Sequence, residues 1–168
     1  MSKIVKSMIS QLISGITGSG SSSTSQPSQS EPGFYTWNKG DNISLSKYFS
    51  TKEFSCHCHF PDCKKQKISK SLVAKLGDIR EEIGQPMVVT SAFRCQKYQA
   101  FLRAAGVNTV VAKASQHELG EAADIVPLDQ KDIKGKFLDI CGKYFDSIGL
   151  SDHFLHVDER KGKRRWNY

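Results

Sequence analysis

The chain has 168 residues, 38% of them hydrophobic, and a formal net charge of +7. That length holds one compact domain and little more, and no run approaches the roughly 18 apolar residues of a membrane span. Five cysteines, three of them clustered within residues 56–63, are no disulfide framework. The positive balance favours polyanionic partners: nucleic acid, or a cell wall with its carboxylates and phosphates.

The opening segment, MSKIVKSMISQLISGITGSG, is not expected to be a secretory signal, because Lys6, Ser7, Ser10 and Gln11 break its apolar run. Ile4, Val5, Met8, Ile9, Leu12, Ile13 and Ile16 follow the spacing of one helical face. Residues 1–16 are therefore expected to form an amphipathic helix that docks on a partner, a membrane surface or the chain's own domain. Residues 17–33, TGSGSSSTSQPSQSEPG, are too polar to offset the entropy of ordering them. They read as a flexible linker, taken here to reach residue 42.

ISLSKYFSTKEF, 43–54, begins the folded part. CHCHFPDC, 56–63, follows. Its CxC spacing is tighter than CxxC and no second ligand pair comes after it, so a loop of buried thiols is expected rather than a structural zinc. Cys95 and Cys141 stand apart. SLVAKLGDIREEIG, 71–84, has a helical face of Leu72, Val73, Leu76, Ile79 and Ile83, with Gly84 as its cap. PMVVTSAF, 86–93, is a β-branched strand, and QKYQAFLRAAG, 96–106, a second helix. AADIVPL, 122–128, is a strand. Residues 129–145 read as a helix, 148–159 as a last strand after a turn, and 161–168 as a basic tail. Helices and strands interleave without a strict βαβ rhythm, which places the fold in the α+β class.

The chemistry concentrates in SQHELGEAAD, 115–124. Gly120 permits a tight turn between His117 and Asp124. Asp124 lies among Ala122, Ala123, Ile125 and Val126, and a carboxylate in an apolar strand is costly unless paired or bound to a cation. His156 sits under the same conditions among Phe154, Leu155 and Val157. Two readings stay open on these residues alone. One is a His₂Asp zinc site with an open fourth position; the other is a pair of core histidines satisfied by carbonyls and an aspartate paired to an arginine.

Ser115, His117, Gly120, Ala122 and Asp124 fill the SxHxxGxAxD pattern of the D-alanyl-D-alanine carboxypeptidase-type zinc peptidases. FLHVD at 154–158 resembles their second motif, TSAFR at 90–94 their substrate-side segment, and FSTKEFSC at 49–56 the opening of the domain in one branch. The resemblance covers about residues 43–160. That group includes phage L-alanyl-D-glutamate endolysins and shares a fold with the hedgehog signalling domain, which implies a small antiparallel sheet with flanking helices. The resemblance implies that His117, Asp124 and His156 bind one Zn²⁺. It implies that Arg94 holds a substrate carbonyl or carboxylate, and that Ser115 orients the substrate or His117. Many members place a glutamate base three residues before the last ligand; here that residue is His153, with Asp152 in reserve and Asp158 available to orient His156.

The substrate implied is the peptidoglycan stem peptide. The chain would be made in a bacterial cytoplasm, act on the wall as an endopeptidase or carboxypeptidase, and be phage-encoded or virion-associated, with helix 1–16 on a phage structural protein. Non-glutamate position 153 motivates an alternative: a wall-binding or structural module that keeps zinc without catalysis. Nucleic acid is not expected as a partner, since the interleaved aromatics of such surfaces appear only as Trp166 and Tyr168.

Overall fold

The computed structural model describes residues 31–106, 115–129 and 133–168; the segment 1–16 expected as a helix and most of the expected linker lie outside them. The described chain runs β1 (Phe34–Asn38), α1 (Thr51–Phe54), β2 (Lys65–Ser69), α2 (Lys70–Ile83), β3 (Met87–Ser91), α3 (Gln96–Ala104), α4 (Gln116–Leu119), β4 (Ala122–Pro127), α5 (Lys136–Tyr144), β5 (Ser147–Leu150), β6 (Leu155–Asp158) and β7 (Arg164–Asn167). This is an α+β fold. β1 and β2 form an antiparallel pair, and a five-stranded sheet has the order β3-β4-β6-β5-β7. Its neighbours are antiparallel except β5 and β7, which run parallel.

Local chemistry sets the helix ends. Ser69 Oγ accepts from Leu72 N at 3.3 Å to cap α2, and Gly84 ends it in the left-handed region at φ 67°. Ser50 and Glu53 form a capping box on α1. α2 buries Leu72, Val73, Leu76 and Ile79, each burial contributing roughly 1.5–3 kcal/mol. That face shares one core with Phe137 and Ile140 of α5 and with Ile125, Ile148, Leu155 and Val157 of the sheet. Strand alternation then leaves the intervening residues of β4 and β6 on the other face, where the polar residues gather.

The fold extends past both expected boundaries. β1 lies inside the segment read as linker, with Trp37 only 2% exposed, and it pairs with β2, whose lysines hide the alternation of buried Gln66 and Ile68. The tail read as 161–168 contains β7, which pairs with β5 along its length. The single last strand is a hairpin, β5 and β6, turned at Ser151–Phe154 with Ser151 N donating to Phe154 O at 3.1 Å. The helix expected from 129 begins at Lys136 behind Gly135, with 130–132 outside the described residues.

Candidate metal centre

One row of residues crosses the whole sheet. Ser91 of β3 pairs with Asp124 of β4, Asp124 with His156 of β6, His156 with Gly149 of β5, and Gly149 with Trp166 of β7. The register alone thus puts Asp124 and His156 side by side. The next row on that face holds Ala122, Asp158 and Ser147. Asp158 follows His156 by two residues, so both side chains leave β6 on the same side.

His117 arrives from the one-turn helix α4, which closes on Gly120 at φ 73°. A Cβ on Gly120 would stand 2.6 Å from the Lys67 carbonyl oxygen, and Ser69 N donates to Gly120 O at 2.8 Å. The glycine therefore lets the turn lie directly against β2, and that contact aims His117 at the sheet.

Three donor atoms converge. His156 Nδ1 lies 2.9 Å from Asp124 Oδ1 and 3.1 Å from His117 Nε2, and His117 Nε2 lies 3.3 Å from Asp124 Oδ1. All three residues are buried. Tetrahedral zinc with bonds of about 2.0–2.1 Å would space its N and O ligands by about 3.3 Å. The far ring nitrogens are held by acceptors: His117 Nδ1 by the Ala92 carbonyl at 2.6 Å, and His156 Nε2 by Asp158 Oδ2 at 3.1 Å. Each acceptor draws the ring proton to its own side and frees the nitrogen that faces Asp124, the arrangement of metal-ligating histidines. The residues fit a zinc ion.

The charges agree. Burial, helped by Arg94, pushes the His117 imidazole below its ordinary pKa against the pull of Asp124. Burial works against a charged Asp124, but His117, Arg94 and His156 hold its carboxyl well below the usual range. Burial alone would depress His156; hydrogen bonds to Asp124 and Asp158 reverse that and raise it. Asp158, also opposed by burial, is held low by His156 and Arg160. Arg160 grips it through Nη2 at 2.7 Å and Nε at 3.0 Å, and Ser147 Oγ donates at 2.9 Å.

Arg94 joins the centre from the β3–α3 corner. Its Nε donates to Ser91 Oγ at 2.8 Å and its Nη2 to Asp124 Oδ2, and the side chain is 12% exposed. Ser115 is buried at the N-cap of α4. His153 and Asp152 sit on the exposed β5–β6 turn, where the Asp152 carboxylate meets Lys134 Nζ at 2.7 Å.

Sequence reasoning missed Arg160 and Ser147 behind Asp158, and the aromatics of the last strand. The Trp166 ring centroid lies 5.5 Å from that of His156, and that of Tyr168 6.3 Å. Gly149 makes this possible, since a Cβ there would meet the indole at 2.6 Å. Burial pushes the Tyr168 phenol up to about 12. Cys95 also does not stand apart. Its thiol joins those of Cys56, Cys58 and Cys63 within 4.8 Å of one another, because Phe93 N donates to Phe54 O and draws the two segments together.

No curated protein matches the chain. A family model described as Peptidase M15 matches residues 47–158, which span α1 to the end of β6 and contain the whole convergent centre. The chain belongs to the peptidase M15 family.

Proposed function

We propose that the chain is a zinc-dependent peptidase acting on peptidoglycan stem peptides, with His117, Asp124 and His156 holding the metal. The observation that carries this reading is the approach of their three donor atoms to 2.9–3.3 Å, from three separate elements, in a member of a peptidase family. Zinc held there supplies Lewis acidity, polarising a peptide carbonyl and acidifying water near neutral pH. Arg94 fixes the Asp124 carboxylate and can present its fork of N–H groups to a substrate carbonyl or carboxylate. Buried Ser115, at the N-cap two residues before His117, orients the substrate or His117. An imidazole nitrogen of His153 takes up a proton and returns it to the leaving amine, with Asp152 in reserve. Stem peptides carry free carboxylates, which suits a chain of net charge +7. Residues 1–16 suit a docking helix on a phage particle, with delivery to the wall from the virion or by lysis.

A second reading keeps zinc and the wall as partner without hydrolysis. The exposed position of His153 and the pairing of Asp152 with Lys134 favour it. Zinc content and release of peptides from peptidoglycan, measured together on wild type, His117→Ala and His153→Ala, separate the two. Zinc with hydrolysis that falls at least 100-fold in both variants supports the enzyme and its base. Zinc that is lost in His117→Ala, without hydrolysis by wild type across several wall chemistries, supports the binding module. Absence of zinc from the wild type removes both.

A further inference from the structure

The thiol cluster lies outside the centre just described. Cys56, Cys58 and Cys63 come from the irregular segment after α1, and Cys95 from the N-cap of α3. The first three are 2–6% exposed. Cys58 Sγ and Cys95 Sγ are 3.6 Å apart, and all five cysteines of the chain are free. A disulfide needs about 2.05 Å. Tetrahedral zinc with Zn–S bonds of about 2.3 Å needs sulfurs about 3.8 Å apart.

The hydrogen bonds around the cluster run towards sulfur. Lys39 Nζ donates to Cys58 Sγ at 3.3 Å, Cys95 N to Cys56 Sγ at 3.3 Å, and Gln66 Nε2 to Cys63 Sγ at 3.9 Å. One of these donors is a cation and one a buried amide, itself held by donation from Cys56 N to Gln66 Oε1 at 2.9 Å. N–H groups aimed at several sulfurs stabilise thiolates bound to a metal. Among the described residues, the apolar cluster around the thiols has Phe93 buried, with Phe60 and Tyr98 packed alongside. Residues 56–60 have no regular secondary structure, and beside the bonds to sulfur the segment is held by Lys39 Nζ on the Cys58 carbonyl and by Gln66 on Cys56 N.

We propose that Cys56, Cys58, Cys63 and Cys95 form a four-thiolate structural zinc site that staples the 56–63 loop to the β3–α3 corner. The site has a second consequence. The corner it clamps supplies the Ala92 carbonyl that orients His117, and Arg94 N, which donates to His117 O at 3.1 Å. Cys95 directly follows Arg94. The thiolate zinc therefore positions the corner that the His117 centre depends on, without touching substrate.

The test counts metal in the full chain, purified under reducing conditions without chelator. Wild type, His117→Ala/His156→Ala and Cys58→Ser/Cys95→Ser are compared by elemental analysis, and each is then loaded with cobalt. The expected result is two zinc ions in wild type and one in the histidine variant. That variant's cobalt form should show sulfur-to-cobalt charge transfer, and its cysteines should resist a thiol reagent until zinc is chelated. The cysteine variant should lose that absorption. If wild type holds one zinc, retained in the histidine variant with the thiolate spectrum, the thiolate site stands while the catalytic reading falls. A histidine variant that holds no zinc and whose cysteines react at once would overturn the proposal. So would disulfides among these four residues, or iron in place of zinc.

Discussion

Asp158→Asn probes the centre without touching a donor atom. The side chain is fully buried, and both of its oxygens face donors. Oδ1 accepts from Arg160 N at 2.9 Å and Nε at 3.0 Å; Oδ2 accepts from His156 Nε2, Arg160 Nη2 and Ser147 Oγ. An amide of the same shape supplies one acceptor and one donor. With its oxygen towards His156, its NH₂ opposes the N–H groups of Arg160. With its NH₂ towards His156, it forces the ring proton onto Nδ1, the nitrogen that faces Asp124. Both orientations weaken metal binding, and loss of such a supporting partner costs about 10–100-fold in affinity. That is about 1.4–2.7 kcal/mol. The metal-free fold should lose about 3 kcal/mol, the lower end for a broken buried ion pair, because Arg160 is 37% exposed and can turn to solvent. Competition with a chromophoric chelator reads the first quantity, and urea denaturation of metal-free protein the second. Zinc affinity within twofold of wild type, in a variant that folds, would refute the role given to Asp158.

The same carboxylate gives a pH prediction. Its folded pKa lies below the unfolded value of about 3.9, so its stabilisation is present above that value and lost as pH falls through the folded one. The stability gap between wild type and Asp158→Asn should be full at pH 7 and shrink below about pH 4; a gap independent of pH contradicts the ionised assignment. Gly149→Ala should displace Trp166, whose ring would lie 2.6 Å from the new Cβ, at a cost of about 1–3 kcal/mol with a shifted tryptophan emission. An unchanged spectrum and denaturation midpoint would show that the indole does not rest on that glycine. Gly120→Ala combines a left-handed backbone, worth roughly 1–2 kcal/mol, with a collision on the Lys67 carbonyl. It should lower the melting temperature and weaken zinc binding together, and a variant matching wild type in both would contradict the packing of that turn.

How far the sequence could be read depends on what each residue's signal requires. Asp124 and His156 stood out because a polar group within an apolar strand has few inexpensive environments, and that argument needs only neighbours along the chain. α2 was legible for a similar reason, since its buried face and its glycine cap are both local patterns. β7 was hidden because Arg164 and Arg165 dominate a charge count, while the alternation that brings Trp166 over Gly149 appears only once β5 is its neighbour. Cys95 was hidden in the same way. Its distance along the chain from Cys63 carries no ligand spacing, and the backbone bond between Phe93 and Phe54, with that from Cys95 N to Cys56 Sγ, brings it to the other thiols.

The β3–α3 corner connects these observations. Within Ala92–Cys95, one carbonyl orients His117, one guanidinium holds Asp124, one amide binds the His117 carbonyl, and one thiol reaches the cysteine loop. β3 fixes the corner from one side, through the pairing of Ser91 with Asp124. On the other side, the cysteine loop has no regular structure over 56–60 and little apolar cover. A crosslink there offsets loop entropy that the individual hydrogen bonds oppose one at a time. The thiol cluster thus meets the corner on the side the sheet does not reach, and a site needing ligands placed within about 0.5 Å has use for a metal crosslink there.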